Sequence, residues 1–214
     1  MKRIVFYALG LSFVLSPVVA FTQARQKPTA AYYITAEEVE TVNKQPGVDR
    51  TIQVMDIGDQ HFAVGIIHRG KTGAPAAAPA GGAARPAAPA NPQPACGEAV
   101  TNPPADLAGG LYHEKQTEGY YIVSGSGTAF IDGTLVNGRK NTNNPDGGPN
   151  GPGCGGGVAV GSRKIELKAG DVLIVPPGVI HGWFDIPDHV DYLSFRPSHG
   201  IMKNGWINPT IAPK

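Results

Sequence analysis

The sequence has few charged residues, and their signs nearly cancel. Its 214 residues include 18 Lys and Arg against 17 Asp and Glu, which gives a formal net charge of +1. A protein without a basic excess is not expected to bind nucleic acid or an anionic membrane surface. Several common motifs are also missing, namely the nucleophile elbow, the phosphate-binding loop and the dinucleotide fingerprint. The Gly-rich stretch Gly147–Gly157 lacks the Lys-Ser/Thr ending of a phosphate loop and is interpreted as an ordinary loop.

Cysteine is scarce as well, since Cys96 and Cys154 are the only two in the chain. Both lie in segments rich in Gly and Pro, where a cross-link would stabilise the chain most. In an oxidising compartment they would pair, and the chain-entropy treatment gives such a loop about 4 kcal/mol. We predict a disulfide; two free thiols, or two soft metal ligands, are the alternatives.

Only one long hydrophobic run is present, and it lies at the N-terminus. Met1–Ala20 has two basic residues, then the apolar run Ile4–Leu15, then small residues before the expected cut. This pattern predicts a secretory signal peptide removed after Ala20, or alternatively after Ala24. A membrane anchor is the other interpretation, but the run is short for a span and Pro17 breaks it. We therefore expect a soluble mature chain that is secreted or periplasmic.

The rest of the chain is dominated by short strand patterns. A capping box at Thr35-Ala-Glu-Glu38 predicts a short helix that ends near Asn43. Thr51–Ile57 and His61–His68 are predicted to form a hairpin around a tight turn. Further strands are predicted at Tyr120–Val123, Thr128–Ile131, Lys164–Leu167, Val172–Val175 and Val190–Phe195, with a turn at Gly125-Ser-Gly127. Many short strands separated by Gly/Pro turns predict an all-β sandwich or barrel.

Two segments have too little apolar bulk to pack. One covers about residues 71–98 and is nearly all Ala, Pro and Gly; the other covers about residues 138–161 and is rich in Gly and Asn. Both are predicted to be flexible insertions within a single domain.

The stretch Gly170–Asp185 has the features of a rigid site. Val172–Val175 is predicted to be a buried strand, and Pro176-Pro177-Gly178 forces a turn before the next strand begins near His181. A histidine held beside such a corner suits a metal ligand, because its backbone and rotamer are both constrained. The alternative is an ordinary β-turn beside a histidine that is hydrogen-bonded within the protein and binds no metal.

This stretch resembles the second signature motif of the cupins, Gly-x5-Pro-x-Gly-x2-His-x3-Asn. Gly170, Pro176, Gly178 and His181 match the motif, while Asp185 stands in place of the final Asn.

An upstream stretch is similar to the first cupin motif, His-x-His-x4-Glu-x6-Gly. His113, Glu118 and Gly125 match its second His, its Glu and its Gly, whereas Leu111 stands in place of its first His. Leu111 and His113 have the same strand parity, so both should face the pocket.

The resemblance implies a single jelly-roll β-barrel over residues 51–200, preceded by a tail and short helix (21–50) and followed by a tail (201–214). It also implies a divalent metal, Fe, Mn, Zn, Ni or Cu, bound by His113, Glu118 and His181. Two imidazoles and one carboxylate leave open positions on Fe(II) for O₂ and substrate. The expected function is therefore a metal-dependent enzyme on a small organic substrate, most specifically a dioxygenase-like oxygenase. An isomerase or lyase and a non-catalytic binding protein are the alternatives. A homodimer is possible, as cupins often dimerise.

Candidates for a catalytic role are Gln116, Tyr121 and Arg69. Gln116 would supply an oxygen if its loop turned inward, and Arg69 or Lys115 would bind a substrate carboxylate. His68 is a further candidate for the pocket wall.

Asp185 and Asp191 are candidates for orienting the ligating histidines, although an ordinary loop or strand residue is the favoured interpretation of each. Four aromatic residues near the two motifs would pack in the core, with one or two of them lining the pocket: Tyr120, Tyr121, Trp183 and Phe184.

Overall fold

The computed structural model describes residues 28–73, 93–104, 109–140, 151–198 and 202–213. The expected signal peptide at Met1–Ala20 lies outside the described residues, as do residues 74–92 and 141–150 of the two predicted insertions. In the part of the chain that is described, no helix has the length and apolar character needed to cross a membrane.

The described residues form one α-helix and twelve β-strands. The helix, α1, is Ala36–Asn43. The strands in chain order are β1 Asp49–Asp56, β2 His61–Gly70, β3 Ala95–Cys96, β4 Gly109–His113, β5 Glu118–Ile131, β6 Thr134–Val136, β7 Gly138–Lys140, β8 Gly153–Val160, β9 Arg163–Lys168, β10 Val172–Val175, β11 His181–Asp185 and β12 His189–Ser198.

The predicted helix and first hairpin are confirmed. Glu38 N–H donates to Thr35 Oγ1 at 3.1 Å, and Thr35 N–H donates to Glu38 Oε2 at 2.7 Å, which completes the capping box. Val42 is fully buried in an apolar cluster with Ile52 of β1 and Ile66 of β2, so α1 covers the outer side of the hairpin. Residues 202–213 also lie alongside β1, because Val54 N–H donates a hydrogen bond to the carbonyl oxygen of Trp206.

Two antiparallel sheets share the long strand β5. One sheet contains β1, β2, β12, the first half of β5 and β10. The second contains the remainder of β5 with β9, β11, β4, β8, β6, β7 and β3. Among the described strands the path runs from β1 to β3 without closing into a ring. One apolar cluster joins the sheets, because it includes Ile122 and Val190 from the first and Ala129 and Leu167 from the second. The predicted all-β jelly-roll class is confirmed.

The turn predicted at Gly125-Ser-Gly127 is wrong. β5 is continuous across it, and the strand passes there from one sheet to the other. Gly125 has a φ of 70°, and a Cβ at this position would collide with the carbonyl oxygen of His189. The glycine therefore serves a bend with a close backbone approach rather than a reversal of the chain.

The second predicted insertion is partly wrong, because its two ends form β7 and β8. Cβ atoms at Gly153 and Gly157 of β8 would collide with the carbonyl oxygens of Tyr112 and Val136. The glycine-rich composition there reflects neighbouring strands that approach closely, not an absence of structure. Likewise, β3 lies within the range expected for the first insertion.

The prediction that β10 is buried is also wrong. Val172 is 63% exposed and Ile174 is 60% exposed, whereas Val175 is buried at 2%. β10 pairs with β5 alone among the described strands, so it is an edge strand with one apolar side facing outward.

The predicted disulfide is confirmed between Cys96 and Cys154, which lie 58 positions apart in the sequence. It links β3 to β8 at an apolar cluster that contains Phe130 and Leu135. The disulfide thus secures the outer strands of the second sheet.

Candidate metal centre

His113, Glu118 and His181 meet inside the jelly roll. His113 ends β4, Glu118 begins β5 and His181 begins β11, so three strand ends supply the three side chains. His181 pairs directly with Leu111 of β4, two residues before His113. Since side chains alternate along a strand, this register brings His181 and His113 to the same side of the sheet.

The corner before His181 is attached to the first motif. Gly178 N–H donates to the carbonyl oxygen of His113 at 2.7 Å. Gly178 has a φ of 79°, a conformation that glycine adopts without strain. The predicted Pro/Gly corner therefore positions not only His181 but also the end of β4.

The three side chains form a compact, buried cluster. His113 Nε2 lies 3.6 Å and His181 Nε2 lies 3.4 Å from Glu118 Oε2. The potential ligand atoms all lie within 4.8 Å of one another, and no other group of three His, Cys, Asp or Glu residues in the described ranges comes as close. The residues are 8%, 3% and 6% exposed in chain order.

A carbonyl oxygen orients His181. Its Nδ1 lies 3.1 Å from the carbonyl oxygen of Val179, which can only accept, so the ring proton is assigned to Nδ1. The lone pair of Nε2 then faces Glu118. Neither carboxylate expected to perform this role does so: Asp185 is exposed, and Asp191 hydrogen-bonds to His68 and Ser124 instead.

Glu118 is held on both of its oxygens. Arg196 Nε donates to Oε1 at 2.7 Å, and the Tyr120 hydroxyl donates to Oε2. Burial alone would raise the pKa of Glu118, but interactions with His113 and His181 and the charge of Arg196 outweigh burial and hold the pKa well below its usual value. Glu118 is therefore a carboxylate, which is the form that binds a cation.

Arg196 and Asp49 are part of the site although no motif points to them. Arg196 is 1% exposed, and its two terminal nitrogens donate to the carboxylate of Asp49 at 3.1 and 2.6 Å. Burial would lower the pKa of Arg196, but the two carboxylates raise it above its usual value. Strand alternation could have predicted that Arg196 faces the interior, because it lies on the same side of β12 as Tyr192 and Ser194, and all three are buried.

The donor set fits a divalent metal. Two ligands that each lie about 2.0 to 2.2 Å from one ion stand roughly 3.0 to 3.5 Å apart, close to the separations between Glu118 and the two imidazoles. Two imidazoles and one carboxylate are borderline ligands that suit Fe, Zn, Mn, Ni or Cu.

A small cavity of about 60 Å³ borders the cluster. Leu111 lines it, as strand parity predicts, so an apolar side chain occupies the position next to the ligands. Arg69, Tyr120, Trp183 and Tyr192 form other parts of the wall. The cavity wall thus combines charged, aromatic and aliphatic side chains.

The remaining candidates lie elsewhere. Gln116 is buried but is not part of the cavity wall, and Tyr121 is 43% exposed on the outer side of β5. Lys115 is exposed, and His68 is bound to Asp191 away from the cavity. Phe184 is exposed and lies beneath the Lys164 ammonium.

No protein-family model and no curated protein sequence matches the chain. Among solved structures, the BH2720 protein of Bacillus halodurans aligns over 85% of this chain and 92% of its own, with a TM-score of 0.40 and 10% identity. A Klebsiella pneumoniae protein with a double-stranded β-helix domain aligns over 81% and 95%, with a TM-score of 0.35 and 14% identity. A cupin protein of Bacteroides fragilis aligns over 72% and 77%, with a TM-score of 0.27 and 19% identity.

The alignments are loose and the identities low, so they identify neither an activity nor a ligand. The cupin resemblance is confirmed as a likeness of fold by this chain's own architecture, in which two antiparallel sheets bring the matched motif residues His113, Glu118 and His181 together.

Proposed function

We propose that this protein is a metal-dependent enzyme of the cupin type that acts on a small organic substrate, in its most specific form as an oxygenase. The observation that carries the proposal is the buried cluster of His113, Glu118 and His181 beside a cavity. These three residues would hold the metal. When bound, a redox-active ion such as Fe(II) would supply O₂ activation, and a redox-inert ion would supply Lewis-acid chemistry for an isomerase or lyase.

The chain's own residues support a working site in three ways. Arg196 fixes one oxygen of Glu118 and leaves the other directed at the imidazoles. The Val179 carbonyl fixes the tautomer of His181. The burial of all three ligands excludes bulk water from the cluster, which strengthens every electrostatic interaction there.

Leu111 favours a second candidate function, a non-catalytic protein that binds a small molecule. Its side chain lines the cavity where the cupin motif would place a fourth ligand. An apolar group at that position reduces the number of protein ligands to three and excludes water from one side of the cluster. The two functions differ in whether the protein retains a stoichiometric metal.

The test is metal content after separate loading with Fe(II), Mn(II), Ni(II), Cu(II) and Zn(II). We expect close to one equivalent of at least one metal, and oxygen uptake with an Fe-loaded sample in the presence of substrate. His181→Ala should lose the metal, because two ligands in a buried site bind a divalent ion weakly. The matched control is His189→Ala, which removes a histidine on the protein surface. Less than about a tenth of an equivalent for every metal would favour the non-catalytic binder.

We also propose that the protein is exported. The Cys96–Cys154 disulfide supports this, because disulfides persist mainly in oxidising compartments. The N-terminal sequence of the mature protein tests it: export predicts a chain that begins at Phe21, after Ala20, or at Arg25, after Ala24. A mature chain that still begins at Met1 would contradict cleavage.

A further inference from the structure

Arg69 places a cation in the wall of the cavity that the three candidate ligands also line. Its Nε donates to the hydroxyl oxygen of Tyr192 at 3.1 Å, and Trp183 Nε1 donates to the same oxygen at 3.3 Å. Two incoming donors fix this hydroxyl, and the hydroxyl in turn fixes the orientation of the guanidinium. The terminal nitrogens of Arg69 remain as donors in a planar arrangement.

The carboxylates of the cavity are bound to a different arginine. Arg196 donates twice to Asp49 and once to Glu118. Among the described residues, no carboxylate forms an ion pair with Arg69. The charge of Asp49, in the same cavity wall, acts on Arg69. Because none of the described carboxylates is in direct ion-pair contact with it, this half-buried guanidinium has room for a ligand carboxylate.

We propose that the cavity takes a small organic carboxylate, with the carboxylate group bound by the terminal nitrogens of Arg69. This assignment rests on the proposed metal-dependent function and names its substrate class. A guanidinium binds a carboxylate through two parallel hydrogen bonds, which orients the ligand as well as holding it. The Tyr192 hydroxyl, which accepts from Arg69 and Trp183, still has its own proton to donate to the ligand.

The charge of the cavity points to the same class. Asp49 and Glu118 are matched by Arg69 and Arg196, so a bound divalent cation would leave the cavity with two uncompensated positive charges. A positive, partly desolvated cavity favours an anion over a neutral molecule of the same shape. Binding of a singly charged carboxylate would reduce this excess from two positive charges to one.

The arrangement also limits the size of the ligand. The Tyr120 ring lies 4.5 Å from the Tyr192 ring and 6.4 Å from the His181 ring, so one aromatic residue links the arginine side to the cluster. If each water-sized atom needs about 10 to 15 Å³ of such space, the cavity holds about four to six non-hydrogen atoms. The expected ligands are short carboxylates.

The test is an NMR titration of the full-length mature protein with acetate, and with acetamide as an uncharged probe of the same shape. Both metal-free and Zn-loaded samples are used, with metal content measured separately. We expect acetate to bind more tightly than acetamide in both samples. Arg69→Gln should weaken acetate binding at least about tenfold, weaken acetamide binding clearly less, and leave zinc content unchanged. Arg163→Gln is the matched control, because it removes an exposed arginine that pairs with Asp132.

Two further variants keep the test decisive. Tyr192→Phe keeps the ring but removes the hydroxyl, and should weaken acetate binding less than Arg69→Gln does. Arg69→Lys keeps the charge without the planar fork, and should recover part of the lost affinity. Equal binding of acetate to the wild type and to folded Arg69→Gln would overturn the proposal, as would no preference for acetate over acetamide. If the wild type takes up no zinc but still binds acetate, only the proposed metal-dependent function is contradicted.

Discussion

Arg196 is the residue that ties the candidate ligands to the rest of the fold. It is 1% exposed and contacts Glu118 across 78 sequence positions and Asp49 across 147. A buried ion pair is costly to desolvate, so its loss leaves uncompensated charge rather than an empty space. Arg196 is thus both a structural link between β12 and β1 and a positioning residue for Glu118.

Arg196→Met should destabilise the metal-free protein by about 3 to 5 kcal/mol, because the buried Glu118 and the partly exposed Asp49 lose their cation. Urea unfolding followed by circular dichroism measures the change. The control is Arg163→Met, where an exposed pair with Asp132 is broken and the loss should stay within about 1 kcal/mol. Equal losses in the two variants would contradict the role assigned to Arg196.

At this scale the sequence predicted the three residues that the fold brings together, but not the residues that hold them in place. His113, Glu118 and His181 were recognisable because their spacing belongs to two local motifs. Arg196 and Asp49 lie outside both motifs, and their contacts depend on the register of β12 and β1, which no local pattern specifies. Tyr121 was misplaced by proximity in sequence: it neighbours the buried Tyr120, but successive side chains on a strand face opposite ways.

At the scale of single elements, β5 is the strand that joins the two sheets, because it bends from one into the other at Gly125. The Gly-Ser-Gly stretch predicted a turn here, since such a stretch between apolar runs commonly is one. The same error affected β7 and β8, where glycines were taken for a flexible segment. Composition shows that the backbone is unusual at these positions, but only the neighbouring strands show why.

Two glycines with the same φ of 70° separate the effects of conformation and space. Gly161→Ala meets no atom within 4 Å and should cost about 1 kcal/mol for the left-handed conformation alone. Gly125→Ala should cost about 3 kcal/mol or more, because its Cβ would also collide with the His189 backbone. Chemical denaturation of both variants gives the comparison. A Gly125→Ala protein as stable as Gly161→Ala would mean that the bend adjusts easily.

The disulfide joins the short strand β3 to β8, across the similarly short β7 that pairs with both. β3 has two residues and β7 has three, and both lie at the end of the second sheet. Replacing Cys96 and Cys154 together with Ala should cost about 2 to 5 kcal/mol. Thermal unfolding of oxidised wild type, reduced wild type and the double variant measures it. Reduction of the wild type should reproduce most of the loss, whereas reduction of the double variant should change nothing.

For the whole molecule, the candidate metal site exists only after folding, because the three residues that could bind the ion come from β4, β5 and β11. A metal that binds the folded state alone stabilises it by about 2.7 kcal/mol at a free concentration one hundred times the dissociation constant. Zinc should therefore raise the melting temperature of the wild type in proportion to the logarithm of its concentration. His181→Ala should show no such rise, whereas His189→Ala should behave as the wild type. A similar rise in His181→Ala would locate the metal elsewhere.

Because β5 belongs to both sheets, local opening of one sheet is coupled to opening of the other. β5 forms backbone hydrogen bonds in both sheets, so it cannot separate from one sheet without disturbing the hydrogen bonds of the other. Opening of either layer is therefore expected to be cooperative, and amides near Ile122 and Phe130 should exchange with deuterium at the same, globally governed rate. Fluctuations that admit a small molecule to the interior would then have to arise at the rim loops rather than by separation of the layers.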